Sequence, residues 1–139
     1  MKKRLRIKYR AGYKYQLAED YEIKLNIFPI KTCGMRFLLL EPNGTLTIKT
    51  GYAWDGPSGP TYDTNTFMRG SLIHDAYYQL MRNNKISIMY RAEADRILKK
   101  LCKEDGMSSF RAWYVYKVVR FFGGAKSRCE IPTPIEKAP

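Results

Sequence analysis

The hydrophobic period of the chain changes once, from two to about 3.6. In the first third, Leu5, Ile7 and Tyr9 alternate with basic residues over 4–10, and Tyr21, Ile23, Leu25 and Ile27 recur at every second position. Period two places such residues on one face of a half-buried strand. The apolar run Phe37, Leu38, Leu39, Leu40 leads into Glu41-Pro42-Asn43-Gly44, after which Leu46 and Ile48 alternate with Thr45, Thr47 and Lys49. An Asn-Gly pair between two such runs supplies the positive φ angles of a tight turn, so this stretch predicts a β-hairpin.

Residues 51–66 follow neither period. Gly51, Gly56 and Gly59 with Pro57 and Pro60 preclude regular helix and predict a long shaped loop, which also carries Trp54, Asp55, Ser58, Tyr62 and Asp63. Loops of this length between ordered elements are often functional. From Phe67 the period is helical: Ile73, Ala76, Tyr77 and Leu80 share a face that ends at Asn83-Asn84. A second helix is predicted from residue 86 or 87 to 104, with Ala94, Leu98 and Leu101 as its stripe and Gly106 as its stop. Ser108 is a natural N-cap for a third, which runs to Phe122 before Gly123-Gly124. The ring-rich face of that helix (Phe110, Trp113, Tyr114, Val118 and Phe121) must pack against something or bind something. Pro132, Pro134 and Pro139 mark an extended tail. The expectation is one α+β domain over residues 1–139: an N-terminal antiparallel β-hairpin or small sheet (1–50), the Gly/Pro-rich loop (51–66), three α-helices (67–124) and the tail (125–139).

Composition is compatible with this. In 139 residues, 45% hydrophobic and 14% aromatic content is enough for one packed core and argues against global disorder. Charge narrows the partners: 25 Lys and Arg against 13 acids leave +12, which suits nucleic acid or an anionic membrane surface without separating them. The excess is uneven. Lys2, Lys3, Arg4, Arg6, Lys8, Arg10 and Lys14 open the chain with no acid among them, and Arg111, Lys117, Arg120, Lys126 and Arg128 follow near its other end. This basic start lacks the apolar stretch of a signal peptide, and no run is long enough to span a bilayer. Cys33, Cys102 and Cys129 show no CxxC spacing, which suits a reducing compartment and gives no zinc pattern beside a single histidine.

That histidine opens the most informative segment, His74-Asp75-Ala76-Tyr77-Tyr78. On a helix His74 and Tyr78 are i and i+4 and stack on one face, while Asp75 turns about 100° away. If the next helix returns antiparallel, Asp95 faces this pair. It sits beside the apolar stripe of Ala94 and Leu98, where a carboxylate needs a partner; His74, Tyr78 and Arg91 are the candidates. A histidine whose far nitrogen donates to a fixed acid can take a proton from water. Asp75 is then available to a hard cation, with Asp55 and loop carbonyls as further oxygen ligands. The bland alternative is a packing histidine, with Asp95 paired to Arg91 alone. Other chemistries are cut back: metal-dependent phosphohydrolases of the His-Asp type need several histidines, and the surroundings of Ser58 do not match the Gly-x-Ser-x-Gly elbow.

Two resemblances add to this reading. The stretch Gly51-Tyr52-Ala53-Trp54-Asp55-Gly56-Pro57-Ser58-Gly59-Pro60, with His74-Asp75, Tyr78, Arg91 and Ala94-Asp95, resembles a family of small phage and prophage proteins known as domain of unknown function 1353. This resemblance covers most of the chain and implies a phage or prophage origin, hence a place in the host cytoplasm or the virion, with other virion proteins as possible partners. In that family's pattern Gly51, Gly56, Ser58, Pro60 and Arg91 are loop and support positions. The second resemblance is local: His-Asp-x-x-Tyr followed by Ala-Asp looks like the core of phospholipase A2, especially its disulfide-free viral capsid form. It implies His74 as general base, Asp75 as calcium ligand, and Tyr78 and Asp95 as the orienting pair. Two functions stay open: a calcium-dependent, phospholipase A2-like lipid ester hydrolase, and a non-enzymatic virion, tail or nucleic-acid-contacting protein that uses the same residues as a structural network.

Overall fold

The computed structural model of the protein describes residues 7, 9–10, 15–54 and 65–123. Two antiparallel sheets precede three helices, an α+β arrangement with its strands N-terminal and its helices C-terminal. The larger sheet has the order β3 (Tyr21–Lys24), β6 (Thr45–Ile48), β5 (Leu38–Leu40), β4 (Cys33–Gly34). The hairpin predicted around Asn43-Gly44 is its centre, with Leu40 opposite Leu46 and Leu38 opposite Ile48. Period two sends Leu38, Leu40, Leu46 and Ile48 all inward, and each is at most 1% exposed.

The turn differs from the tight Asn-Gly type. Among the described turn residues only Gly44 has positive φ, at 90°. Asn43 works through its side chain, its Oδ1 accepting from the Thr45 amide at 2.9 Å. The Gly44 amide donates to the Glu41 carbonyl at 2.9 Å, closing a four-residue loop. A Cβ on Gly44 would lie 2.5 Å from the Leu25 carbonyl oxygen, so glycine is required here twice over, by conformation and by space.

The smaller sheet has the order β1 (Tyr9–Arg10), β2 (Tyr15–Leu17), β7 (Ala53–Trp54). Of the strand predicted over residues 4–10, only Tyr9–Arg10 falls in this sheet; 1–6 and 8 lie outside the described residues, as does the tail. β7 corrects the predicted loop over 51–66, of which Ala53 and Trp54 belong to a sheet and the last two residues, from Asn65, to the first helix. The cause is Trp54, which pairs with Tyr15, is 3% exposed, and donates from Nε1 to the Ser71 hydroxyl at 3.1 Å. An indole buried this fully stabilises by its area and still needs a partner for its N–H, and Ser71 supplies one.

α1 (Asn65–Arg82) is the central helix, and its buried residues surround its axis, with Leu72, Ala76 and Leu80 on one side and Phe67, Ser71, Tyr78 and Met81 on the other. A helix apolar all round is one enclosed by other elements. Strands β2, β3, β5, β6 and β7 contribute to the same cluster as α1, so sheet and helix share one core. Burying each leucine or isoleucine of this core stabilises by roughly 1.5–3 kcal/mol relative to exposure. The second predicted helix begins differently from expectation. Ser87 accepts from the Met89 amide and caps a short 3-10 turn (Ile88–Tyr90), after which α2 runs over Arg91–Glu104. Gly106, at φ 105°, turns the chain out of α2, and α3 (Ser109–Phe122) starts with Ser108 accepting from the Arg111 amide at 3.2 Å. A second apolar cluster (Phe67, Leu98, Cys102, Met107, Ala112, Val115) joins α1 to the α2–α3 pair.

α1 and α2 meet at Gly70. A Cβ there would lie 2.9 Å from the Cys102 sulfur, 3.0 Å from a Leu98 methyl and 3.3 Å from the Leu98 carbonyl oxygen. Gly70→Ala gains up to about 1 kcal/mol in helix propensity. Overpacking against two buried side chains and a backbone atom costs roughly 1–3 kcal/mol, because Leu98 and Cys102 have no room to swing away. We expect a net loss near 1 kcal/mol in urea unfolding, with part of it recovered when Cys102→Ala is added. A stabilised Gly70→Ala protein would show that the helices can separate freely.

Candidate functional site

Three helices converge on one carboxylate. Asp95 belongs to the buried stripe of α2 with Ala94, Leu98 and Leu101, and its side chain is wholly inaccessible. A charge in such a place must be paired and hydrogen-bonded. From α1, His74 places Nε2 2.7 Å from Asp95 Oδ1, and the Tyr78 hydroxyl donates to the same oxygen at 2.7 Å. The i, i+4 spacing brings both donors to one face, their rings 4.2 Å apart. From α3, Arg120 donates from a guanidinium nitrogen to Oδ2 at 3.0 Å.

Arg91 sits one turn before Asp95 on α2, yet it bonds elsewhere. Its Nε donates to the Tyr78 hydroxyl at 3.4 Å, and another nitrogen donates to the carbonyls of Val119 (3.2 Å) and Arg120. The Val119 carbonyl already accepts from the Gly123 amide at 2.8 Å, and a cation on these last carbonyls of α3 adds to that bond and complements the helix dipole. Of the three candidate partners for Asp95, His74 and Tyr78 bond it and Arg91 does not: the arginine on the carboxylate is Arg120, and Arg91 holds the hydroxyl and the helix end beside it. Gly123 follows directly, where a Cβ would fall 2.5 Å from the Tyr78 hydroxyl, so the chain passes this close only because the residue is glycine.

The electrostatics follow from these bonds. Burial alone would push the Asp95 carboxyl up; hydrogen bonds from His74, Tyr78 and Arg120 outweigh it and hold the group below its ordinary value. Tyr78 moves the other way, because burial and its bond to a carboxylate both favour the neutral phenol. The carboxylate has only lone pairs, so a neutral His74 keeps its proton on Nε2 and presents a lone pair at Nδ1. Nδ1 lies 4.0 Å from Asp75 Oδ1, too far for a direct hydrogen bond, and the Asp75 side chain is 34% exposed against 10% for His74. The ring thus has a closed edge on Asp95 and an edge on the side of Asp75, the arrangement of a base oriented by an acid.

The structure thus gathers His74, Tyr78, Asp95 and Arg91, with Asp75 adjoining. Gly51 is placed elsewhere: it turns the chain at φ 96°, donates from its amide to the Leu17 carbonyl at 2.8 Å and packs on the Phe37 ring. Asp55, Gly56, Ser58 and Pro60 lie outside the described residues. No group of three or more His, Cys, Asp or Glu able to hold a metal occurs among the described residues. Of the predicted oxygen ligands for calcium, Asp75 is the one that can be placed beside His74. Arg120 is the residue the sequence reading missed. Its signal was present: folding α2 against α3 about their short connection sets Asp95 opposite about residue 118, near which Lys117 and Arg120 are the cations.

A family described as protein of unknown function (DUF1353) matches residues 37–119, more than half of the chain, and the protein belongs to that family. The matched segment runs from β5 through the hairpin and the first two helices into α3, and includes His74, Asp75, Tyr78, Arg91 and Asp95. No curated protein and no solved structure matches the chain.

Proposed function

We propose that this protein is a phage-encoded hydrolase of lipid esters that uses His74 as general base. The observation that carries the reading is the hydrogen bond of His74 Nε2 to the wholly buried Asp95, with Tyr78 on the same oxygen. Water hydrogen-bonded to Nδ1 gives up a proton to the ring as its oxygen attacks the ester carbonyl carbon. The imidazolium so formed is stabilised by Asp95, and its proton passes to the departing alkoxide. Tyr78 and Arg120 keep the carboxylate ionised and in place. Calcium, when bound, would supply positive charge for the ester carbonyl, and Asp75 is the residue to hold it.

The test measures fatty acid release from phospholipid–detergent mixed micelles, in calcium and in chelator, with calcium uptake followed by calorimetry. Wild type should release fatty acid only with calcium. Asp75→Asn should lose calcium binding while its circular dichroism is unchanged. Wild type that neither takes up millimolar calcium nor releases fatty acid would sink the proposal.

A second reading has its own support: Asp95 also accepts from Arg120, so one carboxylate ties three helices together. In a virion, tail or nucleic-acid-contacting protein the cluster would serve as a brace alone. It predicts no calcium uptake and no turnover, with substitutions at His74, Tyr78 and Asp95 felt only in stability.

A further inference from the structure

α3 is apolar on two opposite sides. Ala112, Val115 and Val119 face the core, with Ala112 and Val115 buried. On the other side, Phe110 is 77% exposed, Trp113 46%, Tyr114 41% and Phe121 81%. At 100° per residue these four rings and Lys117 fall within a stripe about 100° wide. Phe110 and Trp113 lie with ring centroids 6.3 Å apart, and the Lys117 ammonium sits 5.8 Å from the Trp113 ring. Leaving a contiguous row of large rings in water is costly, and such patches mark interaction sites.

We infer that this stripe docks the protein on an anionic lipid bilayer. Three features select that occupant. The stripe carries Lys117 and no acid, in a chain of net charge +12, which complements anionic headgroups. Phe rings enter the acyl boundary, Trp and Tyr suit the interface, and Lys117 can extend its ammonium to a phosphate, as on helices that lie in the membrane plane. A second copy fits poorly, because each stripe would bring Lys117 to the seam with no acid on either helix to pair it. A single nucleic-acid strand is gripped in a basic groove with bases stacked along it; a row of rings on the outer side of one helix offers no such groove. Bilayer docking is surface attachment only, for no described helix is long and apolar enough to cross a membrane.

This inference deepens the hydrolase reading and rests on it for its purpose. Arg120 reaches Asp95 from the same helix, and Gly123 adjoins Tyr78, so docking α3 brings the His74 site within about one helix diameter of the headgroups, roughly 10 Å. The reaction would then draw its ester from the bilayer.

Trp113 supplies the readout, because the other tryptophan, Trp54, is 3% exposed and buried in the core. The full chain is mixed with vesicles of phosphatidylcholine containing phosphatidylglycerol, and separately with phosphatidylcholine alone. Expected are a blue shift of tryptophan emission and quenching by brominated acyl chains on the anionic vesicles. Phe110→Ser with Phe121→Ser should weaken binding at least tenfold, as should Lys117→Glu, with melting temperature unchanged because these side chains are exposed. His74→Gln should bind as wild type does, so docking and hydrolysis fail or succeed separately. The stripe variants should still hydrolyse a monomeric short-chain ester at the wild-type rate. Cosedimentation without quenching by brominated lipid would mean mere electrostatic adsorption and overturn the inference. So would tighter binding to an oligothymidylate that depends on the same residues, or self-association in sedimentation that Phe110→Ser abolishes.

Discussion

Asp95→Asn should lower the stability of the protein by about 3 kcal/mol, or roughly 10 °C in melting temperature for a chain of this length. Removing one partner of a buried ion pair costs on the order of 3–5 kcal/mol, since the remaining charge loses its counter-charge. Arg120 is 35% exposed, so water takes up part of its charge and the lower end of that range applies. The amide also presents an N–H to groups that themselves donate, His74 and Tyr78 or Arg120 depending on its orientation, so at least one bond is lost whichever way it points. The effect has a pH signature. Asp95 ionises at lower pH in the folded chain than its ordinary value of 3.8. Its contribution is therefore complete above the ordinary carboxylate range and is lost as pH falls through the folded value. The stability gap between wild type and Asp95→Asn should be widest near neutrality and close as the pH drops below about 4. A gap that stays constant down to low pH would mean that the lost packing, and not the lost charge, dominates. Denaturant unfolding at a series of pH values decides between the two.

His74→Gln should separate catalysis from folding. General base catalysis contributes roughly 10²–10⁴ in rate, and glutamine has no basic nitrogen to replace Nδ1. Ester hydrolysis should fall by about that factor. Stability should fall far less, by about 1 kcal/mol, because the glutamine amide can still donate to Asp95 and the histidine lies at the edge of the buried cluster. Calcium binding should persist, since Asp75 is untouched. The ordering of the two variants carries the information. If the cluster is a brace alone, His74→Gln changes stability and nothing else, because there is no turnover to lose. If it is an oriented base, His74→Gln removes nearly all activity at little cost in stability, whereas Asp95→Asn costs more stability and leaves more activity. Single-turnover rates on the same micelles, alongside thermal unfolding, separate the two outcomes.

The elements of this fold were legible because their periods are local. Alternation at Leu46 and Ile48 predicts a strand, the 3.6 period through Ile73, Ala76, Tyr77 and Leu80 predicts a helix, and Gly106 stops the second helix just before Ser108 caps the third. The pairing of His74 and Tyr78 was legible for the same reason, since i and i+4 meet on any helix. Even Asp95 announced itself, as a carboxylate on an apolar stripe needs a donor wherever the helix packs. Sequence pointed to His74 and Tyr78 as donors but did not reveal which arginine joins them. Arg91, one turn away on the same helix, was the near choice; Arg120, twenty-five residues on, is the actual one, because the packing of α2 on α3 turns one guanidinium to the carboxylate and the other to the helix end. Nor did a Gly/Pro-rich segment disclose that Trp54 would be a strand residue in the core, because that depends on a partner strand more than thirty residues earlier and a serine on α1. Local spacing determined which groups share an element and a face. Only tertiary packing, which sets distances between residues far apart in the chain, decided which side chains complete the carboxylate's shell and which rings of α3 are left facing water.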